Sequence, residues 1–219
     1  MLVSYGDIRL FSLEDTESRD WDIPAEATNV RVALPANPVT VMRMAELGYV
    51  LGDRTILCSI STRRVPEDAG GRSRAEVSLE KADHDAMLSL AKASFWGDRR
   101  FYVTPDCKQD VAERVLADWI SGLDETLVCR VKGEYAGFLA LTEEPDSSAC
   151  VNLAATDERF RLAGAAMALY TAAVLKAHQD GRARLVGRIS SRNMPVMNLY
   201  AHLGAKFSDP LDIFLKEVR

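Results

Sequence analysis

The sequence has little that could hold a metal or a disulfide framework. Its four cysteines, Cys58, Cys107, Cys129 and Cys150, are scattered and form no C-x-x-C pair. Cys58 and Cys129 sit inside apolar runs and read as reduced core thiols. The three histidines, His84, His178 and His202, stand apart from one another. No set has ligand spacing, so no metal is expected. An excess of basic residues is also missing. Lys and Arg number 27 against 32 Asp and Glu, a formal net charge of -5. That balance argues against a nucleic-acid partner, because phosphate neutralisation needs a basic face. It does not exclude small anions, which backbone N–H groups can hold locally. No apolar run approaches the roughly 20 residues of a membrane helix. The start "MLVSYGDIRLFSLEDTE" carries acidic residues and no cationic segment, unlike a secretory signal. The expectation is a soluble, cytoplasmic protein that engages neither membrane nor nucleic acid.

What is present is an ordinary globular mixture, 47% apolar and 27% charged, over 219 residues. That length suits one large domain or two small ones. Residues 1–75 read as one unit. "TNVRVALPA" (28–36) alternates as a strand does, and 37–48 forms a short helix with Asn37 as N-cap, Pro38 in the first turn and Gly48 at its end. Residues 49–65 read as an irregular segment leading into a strand, and 66–76 as a polar linker. The second unit, 77–219, follows the order helix (83–95), helix (108–123), strands 126–133, 134–144 and 146–158, helix 164–179, strand 183–191, helix 193–203 and a last strand 212–218. A tight turn at Lys132-Gly133 joins the first two of those strands. The class is α/β, with antiparallel hairpins feeding a strand–helix–strand unit.

A repeat is visible. Asn37 to Gly48 and Asn193 to Gly204 each open with asparagine, run as a helix of about ten residues and close with Leu-Gly, 156 residues apart at both ends. Two independently capped helices would look similar by chance; the sharper reading makes the first unit half a copy of the second. Met44 then stands where the second copy has Tyr200, so the first copy lacks that hydroxyl.

The stretch "TDERFRLAGAAMALYTAAV" (156–174) places Arg161, Gly164, Ala165 and Ala166 where a strand gives way to a long apolar helix. A helix N-terminus offers unpaired N–H groups and a partial positive charge, and small residues keep the approach to it clear. Small residues also let a helix pack on a sheet, so the glycine alone decides nothing. Further on, "SSRNMPVMNLYAHLGAKF" (190–207) closes a second strand with Asn193, a helix bearing Asn198 and Tyr200, and Gly204.

Together these segments resemble the GCN5-related N-acetyltransferases. "RLAGAA" (161–166) fits the [Gln/Arg]-x-x-Gly-x-[Gly/Ala] signature for acetyl-CoA, with Leu162 at a position that is commonly glycine. Asn193, Asn198, Tyr200 and Gly204 fit a second pattern, N-x-x-x-x-N-x-Y-x-x-x-G. "ELGYVLGDRTILCSI", "SFWGDRRFY", "DWI" (118–120) and "RNMPVMNLYAHLGA" are similar to the dTDP-fucosamine N-acetyltransferases within that family.

The resemblance implies a mixed central sheet flanked by helices (the acetyltransferase domain, 77–219) preceded by a smaller N-terminal half-domain (1–75) of the same type without catalytic residues. It implies acetyl-CoA as co-substrate, held by Leu153, Ala154, Ala155, Arg161, Leu162, Ala163, Gly164, Ala165, Ala166, Asn193, Asn198 and Tyr200. A backbone N–H at Leu153 or Ala154 would meet the thioester carbonyl, and Tyr200 would be the acid for the departing sulfur. The implied acceptor is the amine of a nucleotide-linked 4-amino-4,6-dideoxyhexose. Trp96, Arg99, Arg100, Tyr102 and Asn152 are expected on its side, the arginines gripping a diphosphate and an aromatic stacking on a base or sugar. The half-domain would wall the acceptor cleft or supply a homodimer contact. Another amine acceptor (antibiotic, polyamine, amino acid or protein N-terminus) and a non-catalytic acyl-CoA-binding module stay open beside this reading.

Overall fold

A computed structural model describes residues 1–13, 21–64, 75–95, 101–106 and 108–218. Ten strands form one mixed sheet. In chain order the elements are β1 (Leu2–Tyr5), β2 (Ile8–Leu13), β3 (Asn29–Pro35), α1 (Pro38–Glu46), β4 (Val50–Ser61), β5 (Ala75–Lys81), α2 (His84–Ser94), α3 (Gln109–Ser121), β6 (Glu125–Val131), β7 (Glu134–Glu143), β8 (Ser148–Thr156), α4 (Ala165–Gln179), β9 (Arg184–Ser190), α5 (Met194–His202) and β10 (Lys206–Glu217). The spatial order is β1-β2-β3-β10-β4-β9-β8-β7-β6-β5. Pairing is antiparallel except at β2/β3 and β8/β9.

Strand alternation divides the core. Leu139 of β7 packs with Cys58, Ala165, Leu169, Ala173 and Tyr200, under α4 and α5. Its neighbours Phe138 and Ala140 face the other way, into a cluster with Met87, Val111, Val115 and Ile120 of α2 and α3. A third cluster, Val30, Val32, Met44 and Phe214, lies under α1. Burial holds the Cys58 thiol up at about 11, so it stays a neutral core group.

The likeness of the two helical segments extends to the strands that follow them. α1 and α5 are both 9 residues long, and each is capped by an asparagine side chain that accepts a backbone N–H: Asn37 from Val39 and Asn193 from Val196. β4 and β10 are both 12 residues long and begin 156 positions apart. β4 lies between β9 and β10, and β10 lies between β3 and β4, so each pairs with the other.

Three differences from the sequence expectation have physical reasons. Residues 50–61 form one long central strand rather than an irregular lead-in. The polar pair Asp53-Arg54 disguised it, and the structure gives each a partner. Asp53 Oδ1 accepts from the Arg54 N–H and the Ser190 hydroxyl, and the Arg54 guanidinium makes a two-pronged contact with Asp212 of β10 at 2.6 and 2.8 Å. Likewise β10 begins at Lys206, not 212. Asp209-Pro210 hid its first half and falls where the pairing with β4 shifts register. The second unit opens with a strand, β5, which takes in the last residues of the expected linker. The Lys132-Gly133 turn stands as read, both residues at positive φ between β6 and β7.

Asp212 is fully buried whereas Arg54 is 46% exposed. Removing the cation therefore strands a buried charge, while removing the anion leaves a guanidinium that water still reaches. Arg54→Met should cost about 3 kcal/mol of unfolding free energy and Asp212→Asn about 1 kcal/mol. Urea denaturation checks this; equal costs would contradict the asymmetry.

Candidate active site

β8 and β9 hydrogen-bond over only three residue pairs, Ser148↔Arg184, Ala149↔Leu185 and Cys150↔Val186. Beyond them β8 runs on to Thr156 beside β7, and β9 to Ser190 beside β4. The two strands therefore part in mid-sheet, each paired on its outer side. Their inner edges carry the N–H and C=O groups that a continuous ladder would use. β8 also holds a bulge. Ala140 pairs with Leu153 and Leu141 with Val151, so Asn152 is an extra residue. A bulge bends its strand and re-aims the backbone groups beside it.

The front of α4 stands at the mouth of this opening. A short turn, Glu158–Ala163, leads to Gly164, whose φ of 79° is left-handed, a conformation glycine adopts at little cost. α1, α2 and α5 begin with a capping side chain, but α4 begins on Gly164 with none. Its first-turn N–H groups and dipole end are not claimed by a cap. Arg161 and Ala166 border the cleft there, across from Ser190, Arg192 and Asn193, with Ala154 in its floor; its volume is about 500 Å³. A smaller void of about 30 Å³ lies deeper between the strands, against Asn152, Leu153, Ala154, Gly187, Asn193 and Tyr200.

Tyr200 borders that inner void and is fully buried. Among the described residues its hydroxyl makes no well-aligned hydrogen bond, and the neighbouring Tyr170 side chain is the polar group that acts on it. A Cβ on residue 187 would collide with this oxygen, so Gly187 makes the room it occupies. Burial, with the ring of Tyr170 at 5.1 Å, raises the Tyr200 pKa well above the usual phenol value of 10.0. The group is therefore neutral.

The other sequence-named residues scatter. Ala163 ends the short turn, Gly164 is the N-cap of α4, and Ala165 is its first residue, fully buried. The side chain of Leu162 lies outside the described residues. Ala155 is buried in the α2–α3 cluster, on the side away from Tyr200. Asn198 is exposed and does not border the cleft. Asn193 serves as helix cap and as cleft wall at once. Tyr102 borders a separate crevice with Lys92 and Glu113. Trp96, Arg99 and Arg100 lie outside the described residues; Phe95, just before them, reaches the cleft and the inner void. Two carboxylates flanking β8, Asp157 just past its end and Glu143 opposite its start, are engaged by arginines. Hydrogen bonds from Arg159 hold Asp157 below the usual carboxylate range, and Glu143 pairs with Arg182. Gly187, Ser190 and Arg192 went unread. A lone glycine inside the strand pattern "RLVGRIS" was the available signal of a close approach.

No protein-family model matches the chain, and no curated protein matches it in sequence. Solved structures do. A conserved protein of unknown function from Staphylococcus epidermidis superposes with a TM-score of 0.64 at 12% identity, covering 87% of this chain and 73% of the other. A GCN5-related N-acetyltransferase from Sphaerobacter thermophilus gives 0.58 at 16% identity, over 87% of this chain and 60% of that one. A tandem protein of the same type, from the clavulanic acid biosynthesis pathway, gives 0.56 at 14% identity, over 88% and 65%. The chain has the fold of the GCN5-related N-acetyltransferases. It spans less than two thirds of the length of the last two. Among the described residues no helix of this acetyltransferase fold is long and apolar enough to cross a membrane.

A buried hydroxyl without a well-aligned hydrogen bond adds little to stability, so Tyr200→Phe should leave the unfolding free energy at pH 7 unchanged or raise it by about 1 kcal/mol. The sign at high pH follows from the raised pKa. The folded state favours the neutral phenol, so its contribution is intact below pH 10 and is lost as the pH climbs through the higher folded-state value. Tyr200→Phe should therefore lose stability less steeply above pH 10. Denaturation at a series of pH values checks both; a destabilised variant with an unchanged alkaline slope would show that the hydroxyl is bonded.

Proposed function

We propose that this chain is an acyl-CoA-dependent N-acetyltransferase that moves acetyl from acetyl-CoA to the amine of a small molecule. The observation that carries the reading is the parted β8/β9 pair with a neutral, buried phenol at its inner end. Pantetheine has two amides and would lie along the inner edge of β8 as an added strand. Its diphosphate would sit against the uncapped front of α4, with Arg161 adding charge. Asn193 would reach the pantetheine arm, whereas Asn198, exposed, would contribute only indirectly.

In the chemical step the neutral amine attacks the thioester carbon. The carbonyl oxygen gains charge and is met by a backbone N–H at Leu153 beside the bulge; loss of such a donor costs roughly 3–4 kcal/mol of barrier. As the carbon–sulfur bond breaks, Tyr200 gives its proton to the sulfur; the new ammonium loses one to water, and water returns a proton to the phenolate.

We take the acceptor to be a nucleotide-linked 4-amino-4,6-dideoxyhexose, entering from the side of Phe95 and the segment with Trp96, Arg99 and Arg100. The support is the sequence resemblance and the position of Phe95 at the cleft. Residues 1–75 would act as the reduced copy, with Met44 in the place of Tyr200 and no second reaction centre. The exchanged strand β4 favours a role for them in walling the cleft over a dimer contact. The enzyme would work in the cytoplasm.

Incubation with acetyl-CoA and a panel of amines, read by free thiol and by product mass, tests this. Acetylation of a dTDP- or UDP-linked amino-deoxysugar is expected, and Tyr200→Phe should lower kcat by about 10²–10⁴. Turnover only with polyamines, amino acids or aminoglycosides would overturn the acceptor. Full activity in Tyr200→Phe would remove the phenol from the mechanism.

A further inference from the structure

We propose that Asp53, on the strand contributed by the N-terminal segment, is a positioning residue for the CoA cleft; the inference rests on the function proposed above. Asp53 and Ser190 are both buried, at 1% and 3% exposure. The Ser190 hydroxyl donates to Asp53 Oδ1 at 2.9 Å and accepts the Arg192 N–H at 3.2 Å. A serine hydroxyl has one proton and two lone pairs, so donating to the carboxylate leaves its oxygen oriented toward that amide.

The neighbouring backbone is tied down in the same way. The Ser191 N–H bonds Arg54 O at 2.8 Å, and the Asn193 N–H bonds Ser190 O at 3.0 Å. Three consecutive amides, 191 to 193, are thus fixed either to β4 or to the serine that Asp53 holds. Ser190, Arg192 and Asn193 all border the cleft. β4 in turn is anchored to β10 through Arg54 and Asp212.

This placement has a physical consequence. A wall of the cleft that ends in a free strand terminus would sample many conformations, and binding would have to order it. Held in advance, it binds without that cost. The carboxylate touches neither coenzyme nor acceptor; it acts through Ser190. It also explains a polar residue in the middle of a buried strand, which packing alone would not favour.

The test is calorimetric titration of the full chain with CoA, using wild type, Asp53→Asn, Asp53→Leu and Ser190→Ala, each checked for folding by circular dichroism. Asparagine keeps an acceptor oxygen for the Ser190 hydroxyl, so Asp53→Asn should bind within about threefold of wild type. Asp53→Leu and Ser190→Ala should weaken CoA by about tenfold, the worth of one hydrogen bond. In a turnover assay the same variants should raise KM for acetyl-CoA more than they lower kcat. Should Asp53→Leu fail to fold, Ser190→Ala decides. Folded variants that bind CoA as wild type does would overturn the inference, as would Asp53→Asn binding as weakly as Asp53→Leu. A wild-type chain that binds no CoA would instead overturn the proposed function.

Discussion

A parallel strand pair that hydrogen-bonds for three residues and then separates is the constraint on which the rest of this molecule depends. Backbone N–H and C=O groups inside a protein need partners, and an internal gap in a sheet normally costs too much to persist. Here the gap is stable because both diverging strands are fully engaged on their outer sides, β8 by β7 and β9 by β4. It is also propped open at both ends. α4 packs behind it, and the side chain of Tyr200 fills the inner end beneath Gly187. A segment of ligand that carries amides at strand-like spacing is the natural complement of such an edge.

The N-terminal segment belongs to the same argument. Its strand β4 supplies the outer partner of β9, without which β9 would have no ladder on either side beyond Val186. The pairing of β4 with both β9 and β10 ties the N-terminal strands into the same sheet as the cleft, so the two share a hydrogen-bond network. The most polar part of that network, Asp53, Arg54, Ser190 and Asp212, lies where β9 turns into α5. Specificity of register is one use of such buried polar groups: each must find its partner or remain costly.

Much of this was legible from residues alone where local chemistry dominates. Asn37 and Asn193 announce helix starts, Leu-Gly announces their ends, and Lys132-Gly133 marks a hairpin. The front of α4 was readable because an arginine, a lone glycine and small residues follow a strand. What stayed hidden depends on tertiary partners. "GDRT" in β4 and "SDP" in β10 look like loop until Ser190 and the neighbouring strand are there to satisfy them. β1 and β2 lie within an acidic, unpatterned start. The parting of β8 from β9 has no local signature in "CVNLAAT" or "RLVGRIS" beyond Gly187, because it results from what lies on either side. Phe95 at the cleft, which the sequence did not single out, and Tyr102 and Asn198 away from it show that helix and loop geometry, not sequence proximity, decides what a cleft can touch.

The central claim is that the inner edge of β8 receives the CoA arm as an added strand. Amide hydrogen exchange with and without CoA measures it most directly. The account predicts slowed exchange at amides within residues 151–156 and at the front of α4, residues 161–166, with the outer strands β5 and β6 unchanged. Saturating CoA that leaves those amides exchanging as before, or that protects a different surface, would contradict it.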